Sequence, residues 1–315
     1  MVRRTSFGLV SPSREVTLGL TSAQEVIELA PKAESQGFDS VWLGDSLLAK
    51  PRLDPLTMLA AMAVKTQRIK LGTAILLNAL RNPFLLAQQW ATLDHIARGR
   101  TIMGVGIGGG RYTRELFVKE FEACGVKFSQ RMQVMEEMIE LVRLLWSTDQ
   151  VNYRGKFLAA EDISLHPRPF SGPCPIWIAC SRVDVGLRRV ARLGDGWIAN
   201  ILHPDEFQQS WQGVQSYATE YHRSPPTPVF YMYLNLAEDR EAAGRGADEF
   251  LAKYYNTRFS RDTLERWGPF GPRSMVVDRI DRTIAAGATG FILHFASLEP
   301  EAQMTQFANE ILPSF

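Results

Sequence analysis

Short apolar runs rich in β-branched residues recur along the chain, and each is followed by a stretch whose apolar positions return at helical spacing. Residues 5–10 form the first run. The stretch after it sets Val26, Ile27, Leu29, Ala30 and Ala33 on one stripe, with Ser22 placed to cap a helix and Gly37 to end it. A second run, 38–44, precedes a helix opening at Asp54-Pro55, an N-cap followed by proline in the first helical position. Residues 69–77 and 100–107 come next, separated by a helix with Pro83 near its start. These runs are continuous rather than alternating, the pattern of strands buried on both faces in a parallel sheet wrapped by helices.

The rhythm breaks between 110 and 174. That segment offers a long helix near 130–146, a short hairpin at 151–157 and the proline-rich run His166-Pro-Arg-Pro-Phe170. It resumes with strands at 175–180, 195–200, 228–236 and 289–295, separated by helical stretches and followed by a terminal helix. Eight strands alternating with helices predict a (β/α)8 TIM barrel, one domain over 1–315 with an insertion at about 110–174 between strands 4 and 5. An open doubly wound sheet is the main rival. In a barrel, function sits on the loops that follow the strands.

A chain of 315 residues with 45% hydrophobic residues can bury a core of that size. Its formal net charge of +1 implies no general attraction to nucleic acid or a membrane surface. Cys124, Cys174 and Cys180 lack zinc spacing and cannot all pair, so a reducing, cytoplasmic location is the simplest expectation. No signal-peptide core or membrane-length apolar run is present, and a soluble, unprocessed protein is expected.

Candidate chemistry concentrates at strand ends. The loop Gly106-Ile107-Gly108-Gly109 would let a ligand meet bare backbone amides, as a phosphate-cradling loop does; a tight structural turn is the alternative. It lacks the pattern of a nucleoside triphosphatase loop, and no acidic ribose partner follows at dinucleotide spacing. Nearby Arg111 and Arg114 could add charge to a phosphate or be solvated. After the fifth strand, Cys180-Ser181-Arg182-Val183 leads into a helix amino terminus, where an anion is favoured; capping by Ser181 or Asp184 explains the same residues. Asp45 ends the second strand, placed to accept hydrogen bonds from a bound ligand or to cap the next segment. No histidine or asparagine arrangement makes Cys180 a nucleophile. The five histidines show no metal spacing, and His294 alone sits at the active face of the expected barrel, whereas His95 reads as structural. Amides, arginines and aromatics without an acid–base pair or metal ligands suit a cofactor that brings its own chemistry.

The sequence resembles the bacterial luciferase-like superfamily, more closely its small deazaflavin-dependent oxidoreductase branch. Residues 33–45, Leu71-Gly-Thr-Ala74, Arg81-Asn-Pro83, 91–100, Gly104-Val-Gly-Ile-Gly108, Glu120-Phe-Glu-Ala-Cys-Gly125, Arg131, Leu145-Trp146, Pro167-Arg-Pro169, 175–179, 191–197, Phe270-Gly-Pro272 and Leu312-Pro313 carry the resemblance over essentially the whole chain. It implies a TIM barrel that binds a flavin-type coenzyme at the carboxyl ends of its strands. It also implies a non-proline cis peptide after the third strand, here Ala74–Ile75, backing the ring beside Thr73. Coenzyme contacts map onto Asp45, Gly106 to Gly109 and the loop Ala179, Cys180, Ser181, Arg182 and Val183, while Ser46, Arg111 and His294 would face substrate, partly enclosed by the insertion.

Two departures bear on the reaction. Sugar-phosphate dehydrogenases of this branch carry a histidine after the strand-two aspartate and a glutamate in the glycine loop; Ser46 and Gly109 stand at those positions here. Many relatives have Gly-Gly where this chain has Ser181-Arg182, a change that would suit direct pairing with an FMN phosphate or a tighter loop. The expected function is hydride transfer between reduced coenzyme F420 and a small organic substrate. The alternatives are an FMN-dependent two-component monooxygenase using reduced flavin and oxygen, and a non-catalytic flavin-binding barrel. A flavin or F420 reductase would supply reduced coenzyme, and the resemblance implies a homodimer.

Overall fold

The computed structural model describes residues 5–109 and 114–315. In chain order its strands are β1 (Ser6–Val10), β2 (Ser40–Leu43), β3 (Lys70–Thr73), β4 (Thr101–Val105), β5 (Val151–Arg154), β6 (Ala159–Ile163), β7 (Ile176–Ala179), β8 (Gly196–Asn200), β9 (Thr227–Leu236), β10 (Phe270–Gly271) and β11 (Gly290–Phe295). The helices are α1 (Ala23–Ser35), α2 (Pro55–Lys65), α3 (Pro83–Ala97), α4 (Arg114–Ala123), α5 (Arg131–Ser147), α6 (Asp184–Leu193), α7 (Pro204–Glu220), α8 (Arg240–Tyr255), α9 (Arg261–Trp267), α10 (Arg273–Ala285) and α11 (Pro300–Glu310).

Parallel pairing runs β9-β11-β1-β2-β3-β4-β7-β8 and returns to β9, so these strands close an 8-strand (β/α)8 barrel. The insertion contributes α4, α5 and the antiparallel hairpin β5-β6 between β4 and β7, and β10 adds a short edge to β9. Helix starts follow the sequence signals: Ser22 forms a capping box with Glu25, Asp54 caps α2 ahead of Pro55, and Asn82 caps α3 ahead of Pro83.

The hairpin extends beyond its expected end at 157, because its second arm is 159–163, and its turn is held by Glu137 of α5. That carboxylate accepts the amides of Lys156, Phe157 and Leu158 at 2.8, 2.9 and 2.9 Å. The turn is therefore specified by a helix outside it.

The barrel interior is filled by Val10, Trp42, Ile102, Ile198, Val229 and Ile292. Trp42 lies 5.3 Å from Trp177, centroid to centroid, and donates its indole N–H to Ser40 Oγ at 2.8 Å. Gly72 on the neighbouring strand makes room, since a Cβ there would lie 2.4 Å from the Trp42 ring. The indoles fill the barrel below the strand ends and leave the upper mouth for a ligand.

Candidate active site

Above that layer, the carboxyl ends of the strands open into a cavity of about 610 Å³. Ala74, Ile75, Gly106, Ala179 and Ile198 line it from the barrel side. The Ala74–Ile75 peptide bond is cis. Gly72 pairs with Ile102 and Leu76 bridges Val105, so the third strand spends one residue more than the fourth between these points, the mark of a bulge. Thr73 is fully buried beneath it and donates Oγ1 to the Gly104 carbonyl at 2.8 Å, while the Leu76 amide reaches the same carbonyl at 2.7 Å. A Cβ on Gly106 would stand 3.0 Å from Ile75 Cδ1 and 3.6 Å from Ala179 Cβ. Glycine thus keeps this wall shallow and apolar, a surface that accepts a planar ring.

Asp45 follows β2 and is committed to the protein. Its carboxylate takes Arg81 Nη1 at 2.5 Å and Nη2 at 3.1 Å in a two-pronged pair, and accepts the Leu77 amide at 2.9 Å. It anchors the segment that follows the bulge and still borders the cavity. Ser46, next in sequence, is buried and donates to Glu120 Oε1 at 2.9 Å; the Leu48 amide reaches the same oxygen at 2.9 Å, and the Leu47 amide also bonds to it. Glu120 is wholly buried on α4, so the insertion fixes the loop after β2.

That loop carries Lys50 and Arg52 into the cavity. Ser46 Oγ accepts the Lys50 amide at 2.8 Å, and Lys50 Nζ lies 4.2 Å from the Tyr255 ring centroid and 5.8 Å from that of Phe117. Burial, reinforced by the positive charges of Arg52 and Arg14 and opposed by Glu120, pulls the ammonium down from 10.5 to about 7.

The opposite wall is aromatic. Tyr231 and Tyr233 of β9, Tyr254 and Tyr255 of α8, Phe259 and Trp267 line it, and burial raises the four tyrosine hydroxyls above their ordinary range. His294 stands behind this wall. Its Nδ1 is 2.8 Å from the Tyr231 hydroxyl, its ring stacks on Tyr233 at 4.5 Å, and its Nε2 lies 3.6 Å from Glu15. At the end of β7, Ser181 donates to Asn200 Oδ1 at 3.0 Å, burial raises the Cys180 thiol, and Val183 precedes the first turn of α6. Arg189 of α6 borders the cavity while pairing with Glu136 at 2.7 Å.

A family model described as luciferase-like monooxygenase matches residues 5–296. The chain belongs to this family. It is 31% identical to an F420-dependent glucose-6-phosphate dehydrogenase of Intrasporangium calvum, over 92% of this chain and 94% of that one. It is 26% identical to the enzyme of the same description from Amycolatopsis mediterranei, again over 92% and 94% of the two chains. Among solved structures it resembles the monooxygenase RslO1 from Streptomyces bottropensis, with a TM-score of 0.82 and 25% identity over 98% of this chain and 99% of that one.

For a member of the luciferase-like family, the expected residues divide by position. Asp45, Ser46, Ala74, Ile75, Gly106 to Gly109, Ala179, Cys180, Ser181 and Val183 border one cavity. Three others do not line it: Thr73 lies beneath the bulge, His294 lies behind the tyrosines, and Arg182 turns away to pair with Glu206. His294 therefore faces Tyr231. Arg111 lies outside the described residues. Sequence reasoning missed Lys50, Arg52 and the aromatics of α8 and α9. The first two lie in a loop already marked by its place after the second strand, but the aromatics belong to a segment that reads only as polar helix. No three histidine, cysteine, aspartate or glutamate side chains form a metal-sized group among the described residues.

Proposed function

We propose that the chain transfers a hydride between reduced coenzyme F420 and an organic substrate within the strand-end cavity. The observation that carries this reading is the shallow apolar wall formed by Ala74, Ile75, Gly106 and Ala179, facing an aromatic wall across a space of about 610 Å³. Such a space accepts a planar coenzyme ring with a substrate beside it. The F420-dependent relatives support the same coenzyme.

On this reading Ala74, Ile75 and Gly106 back the ring, and the Gly106–Gly109 backbone lies along the attached chain. The amino end of α6, with Ser181 and Val183, takes the phosphate, where helix amides favour an anion. When bound, the deazaflavin supplies hydride chemistry. The protein orients the two partners and excludes water, and a separate reductase supplies the reduced coenzyme.

An FMN-dependent monooxygenase is the second reading, supported by the likeness to RslO1. The position of Arg182 weighs against it: the guanidinium that would meet a terminal phosphate is engaged with Glu206 and stands off the cavity. Glucose 6-phosphate does not carry over from the relatives, because Ser46 and Gly109 stand where the resemblance places their histidine and glutamate, and Ser46 is already bonded to Glu120. The open cavity beside Gly106–Gly109 supports a working site over a barrel that has lost its ligand.

The experiment is anaerobic oxidation of reduced F420 by the purified protein, screened against a panel of ketones, enones and aldehydes. Oxidation that depends on both protein and acceptor is expected. Turnover only with reduced FMN and oxygen would transfer the assignment to the second reading.

A further inference from the structure

We infer that Lys50 is the group that binds a carbonyl oxygen of the substrate and supplies its proton, which makes the substrate class a largely apolar carbonyl compound. This rests on the hydride-transfer reading above. Lys50 lines the cavity, with its ammonium over the Tyr255 ring at 4.2 Å and near the Phe117 ring at 5.8 Å, both rings also lining it. Among the described residues Lys50 forms no ion pair, so its N–H donors are free to meet an incoming oxygen. The charged and titratable groups around it come from three further elements and its own loop. Arg52 of that loop and Arg14 after β1 repel it, Glu120 of α4 attracts it, and Tyr255 of α8 offers a ring face rather than a charge.

Its position is imposed from outside the loop. Glu120 holds Ser46 and the Leu47 and Leu48 amides, and Ser46 holds the Lys50 amide, so the stem starts from a fixed backbone. Among the described residues the one cavity-bordering carboxylate is that of Asp45, which is consumed by Arg81 and the Leu77 amide and is not placed to exchange protons. Lys50 can take that task because the same burial brings its proton affinity to about 7, where it can both give and regain a proton near neutrality.

The carbonyl carbon receives a hydride from the reduced coenzyme, the C=O π pair moves to oxygen, and that oxygen takes a proton from Lys50. The products are an alcohol, the oxidised coenzyme, which releases its remaining proton to solvent, and a neutral Lys50 amine, which is reprotonated by solvent.

The test begins with coenzyme-free protein. Acetylation by acetic anhydride is followed at each lysine by mass spectrometry across a pH series. Lys50 is expected to react with a midpoint near 7, against about 10.5 for exposed lysines, and a midpoint near 10.5 overturns the inference. Coenzyme binding comes next: Lys50→Met should bind F420 as wild type does. Loss of F420 affinity in Lys50→Met with recovery in Lys50→Arg would instead make Lys50 an anchor for the coenzyme's anionic tail, and overturns it. With any carbonyl compound that wild type turns over, Lys50→Arg keeps the charge but not the dissociable proton. It should lose about 10²–10³-fold in kcat together with the basic limb of the pH profile; an unchanged rate and profile overturns the inference. Failure of the underlying reading is separately visible, because wild type that binds no F420 while Lys50 titrates near 7 removes the hydride source and not the proton-exchanging lysine.

Discussion

Glu120 Oε1 accepts a hydrogen bond from Ser46 Oγ at 2.9 Å, joining the insertion helix to the loop that carries Lys50. The same oxygen serves the Leu47 and Leu48 amides, so a single buried atom organises three donors. Replacing Glu120 by alanine leaves those donors without a partner, at a cost of about 1–3 kcal/mol. Urea unfolding should show that loss, and hydrogen exchange should show faster exchange at Leu47 and Leu48 with the barrel strands unchanged. Equal exchange at both amides would mean that the loop holds itself.

Much of this arrangement was legible in the sequence, for physical reasons that also mark its limit. The barrel strands announce themselves because a strand buried on both faces must be continuously apolar, and the helix starts because Ser22, Asp54 and Asn82 satisfy backbone amides locally. Gly106 to Gly109 stood out as a strand-end loop for the same local reason. What escaped depends on partners distant in sequence. Nothing near Ser46 signals Glu120, and nothing near Asp45 signals that Arg81 occupies its carboxylate. Tyr254 and Tyr255 sit at the end of a helix of charged and small residues, and only tertiary packing turns them toward the cavity.

The Asp45–Arg81 pair is a structural lock, with the two side chains 7% and 21% exposed. Asp45→Asn leaves the mostly buried Arg81 guanidinium with only the half-exposed Asp54 carboxylate, at 3.4 Å, and should destabilise the protein by about 3 kcal/mol. The double variant Asp45→Asn/Arg81→Met should recover part of that loss in a thermodynamic cycle measured by chemical denaturation. If Asp45→Asn lowers coenzyme affinity with no loss of stability, Asp45 meets the ligand directly instead.

Gly106 tests the coenzyme wall. Its Cβ position is already 3.0 Å from Ile75 Cδ1, so Gly106→Val must push a branched side chain over the surface proposed to back the ring. F420 affinity should fall by at least about tenfold, which is about 1.4 kcal/mol, in a fluorescence titration. Retention of full affinity by a folded variant would move the ring elsewhere in the cavity.

Lys50 also makes a prediction about stability and pH. Its folded-state value, near 7, lies below the 10.5 of the free side chain, so between these limits the unfolded chain binds more protons than the folded one. The Lys50 contribution therefore increases stability as pH rises from about 7 toward 10.5, and it is lost as pH falls back through the folded value. Lys50→Met should be the more stable protein below about pH 7, and the difference from wild type should shrink as pH rises through this window. Parallel melting curves read this difference directly, and a gap that does not vary with pH would show that Lys50 titrates normally.

A strand-end cavity built for a deazaflavin should distinguish the two coenzymes in a parallel calorimetric titration of the purified protein with F420 and with FMN. F420 is expected to bind with at least about tenfold lower Kd, because the Gly106–Gly109 wall is open while Arg182 is held away by Glu206. Tight FMN binding with no response to F420 would show that the cavity is built for FMN instead.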